Sequence, residues 1–190
     1  MIERKAGIMT VIMIIGGLAI AGAAIAGDDE RGEHGRGGLF SRRLDVAPVN
    51  NELYAKECGS CHFAYQPGLL PARSWKKMMD TLDNHFGDNA ELDAETQKAL
   101  TAYLVANSAE TSSYKASAKI LNSIKGGDTP LAISKTAYFV RKHREVPERM
   151  VRGNELVKSF AACGKCHTAA DKGSYDEHGV VIPGFGKFED

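Results

Sequence analysis

The sequence predicts a mainly α chain built as two small helical lobes, with irregular loops and a coiled C-terminal tail. Three observations predict it. Apolar residues recur at spacings of three and four, the period of a helix face, as in Trp75, Met79, Leu82 and Phe86. No two alternating apolar runs are placed to pair as strands. One five-residue pattern, Cys-x-x-Cys-His, occurs twice, at positions 58–62 and 163–167, and each copy follows a helix-forming stretch.

The elements follow in chain order. Asn50 or Asn51 can cap a first helix running through Leu53 and Tyr54 to Cys58. After Gly68 and Pro71, the segment from Ala72 to Phe86 carries the Trp75 face, with His85 at its end and Gly87 as a stop. A third helix starts after Asp93, buries Leu100, Tyr103 and Leu104, and ends near Asn107. Ser108 to Ser117, rich in Ser, Thr and Ala, is the expected connection between lobes. Ala118 to Ile124 is a short amphipathic piece, broken by Gly126 to Pro130. Ile133 to Val146 fits either a short helix or extended chain. Pro147 suits the first turn of a helix carrying Met150, Val151, Leu156, Val157 and Phe160 towards Cys163. Val180 to Asp190 is expected to be irregular.

The N-terminus has a different character. Met1 to Lys5 contain Arg4 and Lys5, and no charge occurs from Ala6 to Gly27. Ala24-Ile25-Ala26 then gives a small-x-small pattern ahead of Asp28-Asp29-Glu30. Residues 1–26 are therefore expected to be a secretory signal cleaved after Ala26, with an uncleaved anchor as the competing outcome. Either outcome puts the working part outside the cytoplasm, in the periplasm, and membrane contact is expected only if the segment stays uncleaved. Residues 27–45, rich in Gly and mixed charge, are expected to be a disordered leader. The lobes follow as 46–112 and 113–190.

Composition excludes some functions and leaves others. The 24 cationic and 24 acidic residues balance, so nothing points to nucleic acid. Aromatic residues make up only 7%, with Trp75 the single Trp, which is modest material for a self-sufficient core. Bound apolar groups would supply the missing area.

All four cysteines fall in the two motifs, Cys58-Gly59-Ser60-Cys61-His62 and Cys163-Gly164-Lys165-Cys166-His167. Two thiols three positions apart on a helical turn reach the two vinyl groups of one haem and add across them as thioethers. The His that follows is then held beneath the porphyrin as an iron ligand. A disulfide framework needs no such His, and a thioredoxin-like motif needs a βαβ context. A zinc site made of both pairs needs them far closer in sequence. The expectation is two covalently attached haem c groups. Cys58, Cys61, Cys163 and Cys166 are the anchors, and His62 and His167 the proximal ligands.

The second iron ligands come from the remaining histidines or from a Met. His34 lies in the leader. His85 follows His62 by 23 residues and His143 precedes His167 by 24, a rough mirror that gives each lobe its own distal candidate. His178 and, more weakly, Met150 are the alternatives at the second haem. Met78 or Met79 could replace His85, although a Met beside Trp75 and Leu82 suits a core. Two imidazoles leave no open position on iron, which favours electron transfer over catalysis and a lower potential than a His/Met site. No catalytic residues are expected; a dihaem enzyme with one open or labile iron is the alternative. Charge is uneven near the distal candidates. Six carboxylates lie from Asp80 to Glu95 with no Lys or Arg, and six cations lie from Lys135 to Arg152 beside Glu145 and Glu148. Solvated faces explain this, or else opposite fields lower the first haem's potential and raise the second's.

Four stretches go beyond a generic haem motif: residues 57–75, His85 to Ala90, Arg141 to Glu145, and Ile182 to Asp190. Together they resemble the bacterial dihaem cytochrome c family over most of the chain from about Leu53. The resemblance implies a periplasmic, largely helical electron carrier with two bis-histidine haems of low potential. It also implies protein redox partners, either a membrane b-type cytochrome or a small oxygen-binding haem protein. One departure is Phe188, where the family pattern has Trp.

Overall fold

Asn51 starts the first helix, accepting from Tyr54 N–H at 2.8 Å through its side-chain oxygen. The structure, a computed structural model, describes residues 44–188. The expected signal segment, and the leader up to residue 43, lie outside the described residues. Helix α1 spans Glu52–Gly59 and buries Tyr54. Helix α2 spans Ala72–Met79, and helix α3 spans Ala94–Ala106 behind an Asp93 cap. Helices α2 and α3 pack together, joining Trp75 and Met79 to Leu100 and Leu104 in a cluster with Tyr54, Leu70 and Leu82. Each fully buried side chain of that size contributes about 1.5–3 kcal/mol.

Helix α2 is shorter than the periodicity predicts. Its apolar face was expected to run to Phe86, yet the helix ends at Met79 and Phe86 is 65% exposed. Asp80 and Thr81 end it, because short polar side chains compete for backbone groups. The Thr81 hydroxyl donates back to Lys77 O at 2.9 Å, and Ala90 N–H donates to Leu82 O as the chain reverses. Only Trp75, Met79 and Leu82 keep the buried face.

Helix α4 spans Lys115–Ser123 and begins three residues before the expected Ala118. The preceding Ser/Thr/Ala stretch is packed rather than loose, with Ser108, Ala109 and Ser117 buried. Small side chains let the backbone lie against the core, and Ala109 N–H donates to Leu70 O at 3.0 Å. The ambiguous segment after Ile133 contains a short helix, α5, at Ala137–Lys142, which the Thr136 hydroxyl caps.

The helix expected from Pro147 towards Cys163 is only one turn, α6, at Glu148–Val151. Pro147 sits one position earlier than expected, at the cap. Gly153 and Asn154 stop the helix, glycine being costly in helix interiors. The buried Asn154 amide donates to Met150 O and Pro183 O and its oxygen accepts from Leu156 N–H, so it organises a turn. The tail also differs from a wholly irregular one. Strands β1 (Val181–Ile182) and β2 (Gly186–Lys187) pair antiparallel, Val181 opposite Lys187, around a turn through Pro183 and Gly184. Val181 N–H donates to Cys166 O at 3.1 Å, which lays the hairpin on the second motif. Phe188 is half-buried, its N–H bonded to Val180 O.

A seam ties the start of the described chain to the second motif's segment. Asp45 and Val46 N–H both donate to Gly173 O, and the Asp45 carboxylate accepts from Tyr175 N–H at 2.6 Å. Asp45, the end of the expected leader, is thus anchored. Gly173 has φ 78°, and a Cβ there would run into the Val46 carbonyl. Val46, Leu69 and Ile120 form a second small cluster beside Tyr65 and Tyr175. Among the described residues no helix is long and apolar enough to cross a membrane.

Two substitutions test this packing. Trp75 is buried and its indole N–H donates to Pro67 O at 2.7 Å. Trp75→Phe is expected to cost about 1–3 kcal/mol in urea unfolding of the holoprotein, because a buried carbonyl loses its donor. Lys76→Ala, one residue along on the exposed face, is expected to stay within about 0.5 kcal/mol of wild type.

Candidate haem centres

No disulfide joins any two of the four cysteines. Burial, then the neighbouring Glu57, pushes the Cys58 thiol up to about 11. Burial likewise pushes Cys163 up to about 11 and raises Cys166. A reactive redox pair or a zinc site needs thiolates, which these surroundings disfavour. Among the described residues no group of three or more His, Cys, Asp and Glu gathers to hold a metal ion unaided. A Cys-x-x-Cys pair followed at once by a histidine suits thioether attachment of haem instead.

His62 follows the first motif, and its Nδ1 lies 2.7 Å from Phe63 O. A carbonyl only accepts, so Nδ1 carries the proton and Nε2 keeps its lone pair for a metal. Facing it is His85, with ring centres 6.0 Å apart and planes 17° from parallel. His85 is aimed by a tight turn. Its N–H donates to Asp88 O at 2.7 Å and Asp88 N–H returns to His85 O at 3.2 Å. The two central residues, Phe86 (φ 57°) and Gly87 (φ 104°), both take positive φ, as a type I′ turn requires. For Phe86 that conformation is strained, and its ring packs edge-on to His85 at 5.0 Å.

The second pair is built differently. His143 ends α5, and both its backbone N–H (3.1 Å) and its Nδ1 (2.9 Å) reach Phe139 O. The ring stacks on Phe139 at 3.8 Å and meets Phe160 edge-on at 6.0 Å. His167 lies 6.1 Å from His143 between ring centres, with planes 78° apart. Its Nδ1 is buried without a hydrogen-bond partner. Burial holds three of these imidazoles neutral, the form that ligates metal. His85 is lowered by burial and by His62, and His143 by burial and Lys142. His167 is pulled down to about 4 by burial and His143.

These distances fit haem. Two imidazoles on one metal at about 2 Å each, with nitrogens about 1.1 Å from their ring centres, put those centres about 6 Å apart. The buried, unpartnered Nδ1 of His167 costs about 1–3 kcal/mol. The alternatives lie elsewhere. His178 is exposed and bonded to Asp176 at 3.1 Å. Met79 is in the core, and Met78 packs against it. Met150 is half-buried beyond α5, and His34 lies outside the described residues.

Sequence reasoning assigned no role to Phe86, Tyr65, Gln66 or Tyr175, all of which shape these sites. Gln66 carried a legible signal. It is a lone amide within Gln66–Pro71, a run that is buried throughout, and a buried amide must be bonded.

Comparison with known proteins follows the same lines. Residues 54–175, which include both motifs and all four facing histidines, match the family model for dihaem cytochrome c. The chain is similar to a solved diheme cytochrome c from Shewanella baltica, at 42% identity and TM-score 0.62, over 73% of this chain and 98% of that one. It is also similar to a diheme cytochrome c from Rhodobacter sphaeroides, at 41% identity and TM-score 0.60, over 68% and 99%. No curated protein gives a significant match. With its two attachment motifs and mainly helical fold, the chain belongs to the dihaem cytochrome c family and carries two covalently bound c-type haems.

Proposed function

We propose that this haem-binding electron-transfer protein works in the periplasm as a low-potential carrier between protein partners. In it His62 and His85 ligate one iron, and His143 and His167 the other. The observation that carries this reading is the pair of ring-centre separations, 6.0 and 6.1 Å. Bound haem supplies a reversible one-electron iron couple. The chain's part would be to anchor the haems through Cys58, Cys61, Cys163 and Cys166, to keep His85, His143 and His167 neutral by burial, and to offer two imidazoles to each iron. A filled position admits neither peroxide nor O₂, which supports a carrier over an enzyme. Export is supported by the apolar N-terminal segment and its small-x-small end. The family resemblance favours a membrane b-type cytochrome or a small oxygen-binding haem protein as partner.

Near-infrared magnetic circular dichroism of the oxidised holoprotein, with carbon monoxide added after reduction, tests the ligand set. Two low-spin bis-imidazole irons and no carbon monoxide binding are expected; a methionine charge-transfer band or a high-spin iron overturns it. His85→Ala is expected to make one haem high-spin and able to bind carbon monoxide, and His143→Ala the other. His178→Ala should change neither.

The ring planes add a second expectation. Near-parallel imidazoles leave iron a rhombic field, whereas perpendicular ones make its two in-plane directions nearly equivalent. Electron paramagnetic resonance should therefore give one ordinary rhombic low-spin signal, from the His62/His85 site, and one large-g, highly anisotropic signal, from the His143/His167 site. His85→Ala should abolish the first alone.

Charge sets the third expectation. Asp80, Asp83, Asp88, Glu91, Asp93 and Glu95 are all exposed near the first site. Of the six cations near the second, Lys142, Arg144 and Arg152 are paired with Glu177, Glu145 and Glu148. The acidic side therefore carries most of the contrast. A redox titration should resolve two midpoints, the lower at the His62/His85 haem, and added salt should draw them together.

A further inference from the structure

Each proximal histidine is flanked by a tyrosine whose hydroxyl reaches into the other haem's segment. Tyr65, three residues after His62, lies 5.2 Å from that ring between centres. Its hydroxyl donates at 2.6 Å to the carbonyl of Ala161, two residues before Cys163. Tyr175, eight residues after His167, lies 5.4 Å from the His167 ring. Its hydroxyl donates at 2.6 Å to Gln66 Oε1, on the segment of the first motif. Gln66 is fully buried and uses its other end as well, Nε2 donating to Ala170 O at 2.6 Å. The bonds cross: first segment to second through Tyr65 and Gln66, second to first through Tyr175.

Simple packing does not demand this arrangement. Two half-buried phenols and a buried amide each lose hydration, and each recovers a hydrogen bond through a partner on the other segment. The contacts are short, and each acceptor is a backbone carbonyl or a buried amide oxygen. Burial raises both phenols, so both hydroxyls remain donors throughout the physiological range. Tyr54 supports the crossing from behind, its hydroxyl donating to Tyr65 O at 2.7 Å.

We infer that Tyr65 and Tyr175, joined through Gln66, are positioning residues that lock the two proximal-ligand segments together, so that each haem's environment depends on the other segment's tyrosine. This rests on the ligand assignment above. Removing the Tyr65 hydroxyl frees the Ala161 carbonyl and loosens the approach to Cys163. Removing that of Tyr175 frees Gln66 and loosens the chain that follows His62. Because the change is transmitted through the bridge, its mark is an effect at the distant site.

The test uses holoprotein carrying Tyr65→Phe or Tyr175→Phe, each of which keeps the ring and deletes one hydroxyl. Paramagnetic proton resonance reads the haem methyl groups of both sites. Tyr65→Phe is expected to shift the methyl resonances of the haem at Cys163/Cys166, and Tyr175→Phe those of the haem at Cys58/Cys61, with low-spin iron retained. Shifts confined to the haem on the mutated residue's own segment overturn the bridge while leaving the ligand assignment intact. High-spin iron in the wild type would instead overturn the ligand assignment on which the bridge rests. Should a variant fail to load haem, hydroxyl-proton exchange in the wild type serves. The Tyr175 hydroxyl, part-buried against Gln66, is expected to exchange slowly, and exchange at the rate of a free tyrosine overturns the bridge.

Discussion

On the ligand set proposed above, holding two imidazole rings about 6 Å apart, and doing so twice, is the constraint around which this small chain is arranged. An imidazole presented to iron must keep one nitrogen free, remain neutral and stay fixed in orientation. The chain meets these needs with local backbone rather than with a large core. Carbonyls at Phe63 and Phe139 fix the protons of His62 and His143. Burial keeps the rings neutral at three of the four positions.

Strain gathers where this constraint is tightest. Phe86 is one of two described non-glycine residues at positive φ, and it sits in the turn that aims His85. A glycine there would relieve the backbone but remove the ring packed against the imidazole. Lys158, the other, lies in the irregular run between α6 and the second motif. That run replaces an expected helix, and Asn154 holds it with three hydrogen bonds instead of a repeating ladder. Non-repeating chain is costly unless its polar groups are met one by one, and here side-chain amides meet them.

What the sequence disclosed divides along the same line. Covalent chemistry is written in residue type and spacing, so the two covalently bound c-type haems were legible from the paired Cys-x-x-Cys-His motifs. Capped, periodic segments were legible too: Asn51 and Asp93 start α1 and α3, and Leu100 and Leu104 are buried as their spacing requires. The places where periodicity misled are those where a polar side chain captured the backbone, at Thr81 and at Asn154. Periodicity counts apolar residues and is blind to such captures. Phe86 continued the apolar face of α2 by spacing alone, and its positive φ depends on a turn that no single residue type announces. The crossed contacts of Tyr65, Gln66 and Tyr175 join positions about a hundred residues apart, and nothing local in sequence marks such a pairing.

The two sites reach one spacing by unlike means, and the difference bears on how each tolerates change. His85 stands on a strained two-residue turn with an exposed Phe86, in an acidic stretch open to solvent. His143 stands at the end of a helix, stacked on Phe139 and flanked by Phe160, with three of six nearby cations in ion pairs. A ligand on a turn can be rotated by small backbone shifts, whereas one at a helix end moves only with its helix. The ring planes are near-parallel at the first pair and crossed at the second. Two haems of one chemistry are in this way given different surroundings by a turn and a helix. Such a difference is what a carrier needs if its two irons are to hold electrons at different potentials.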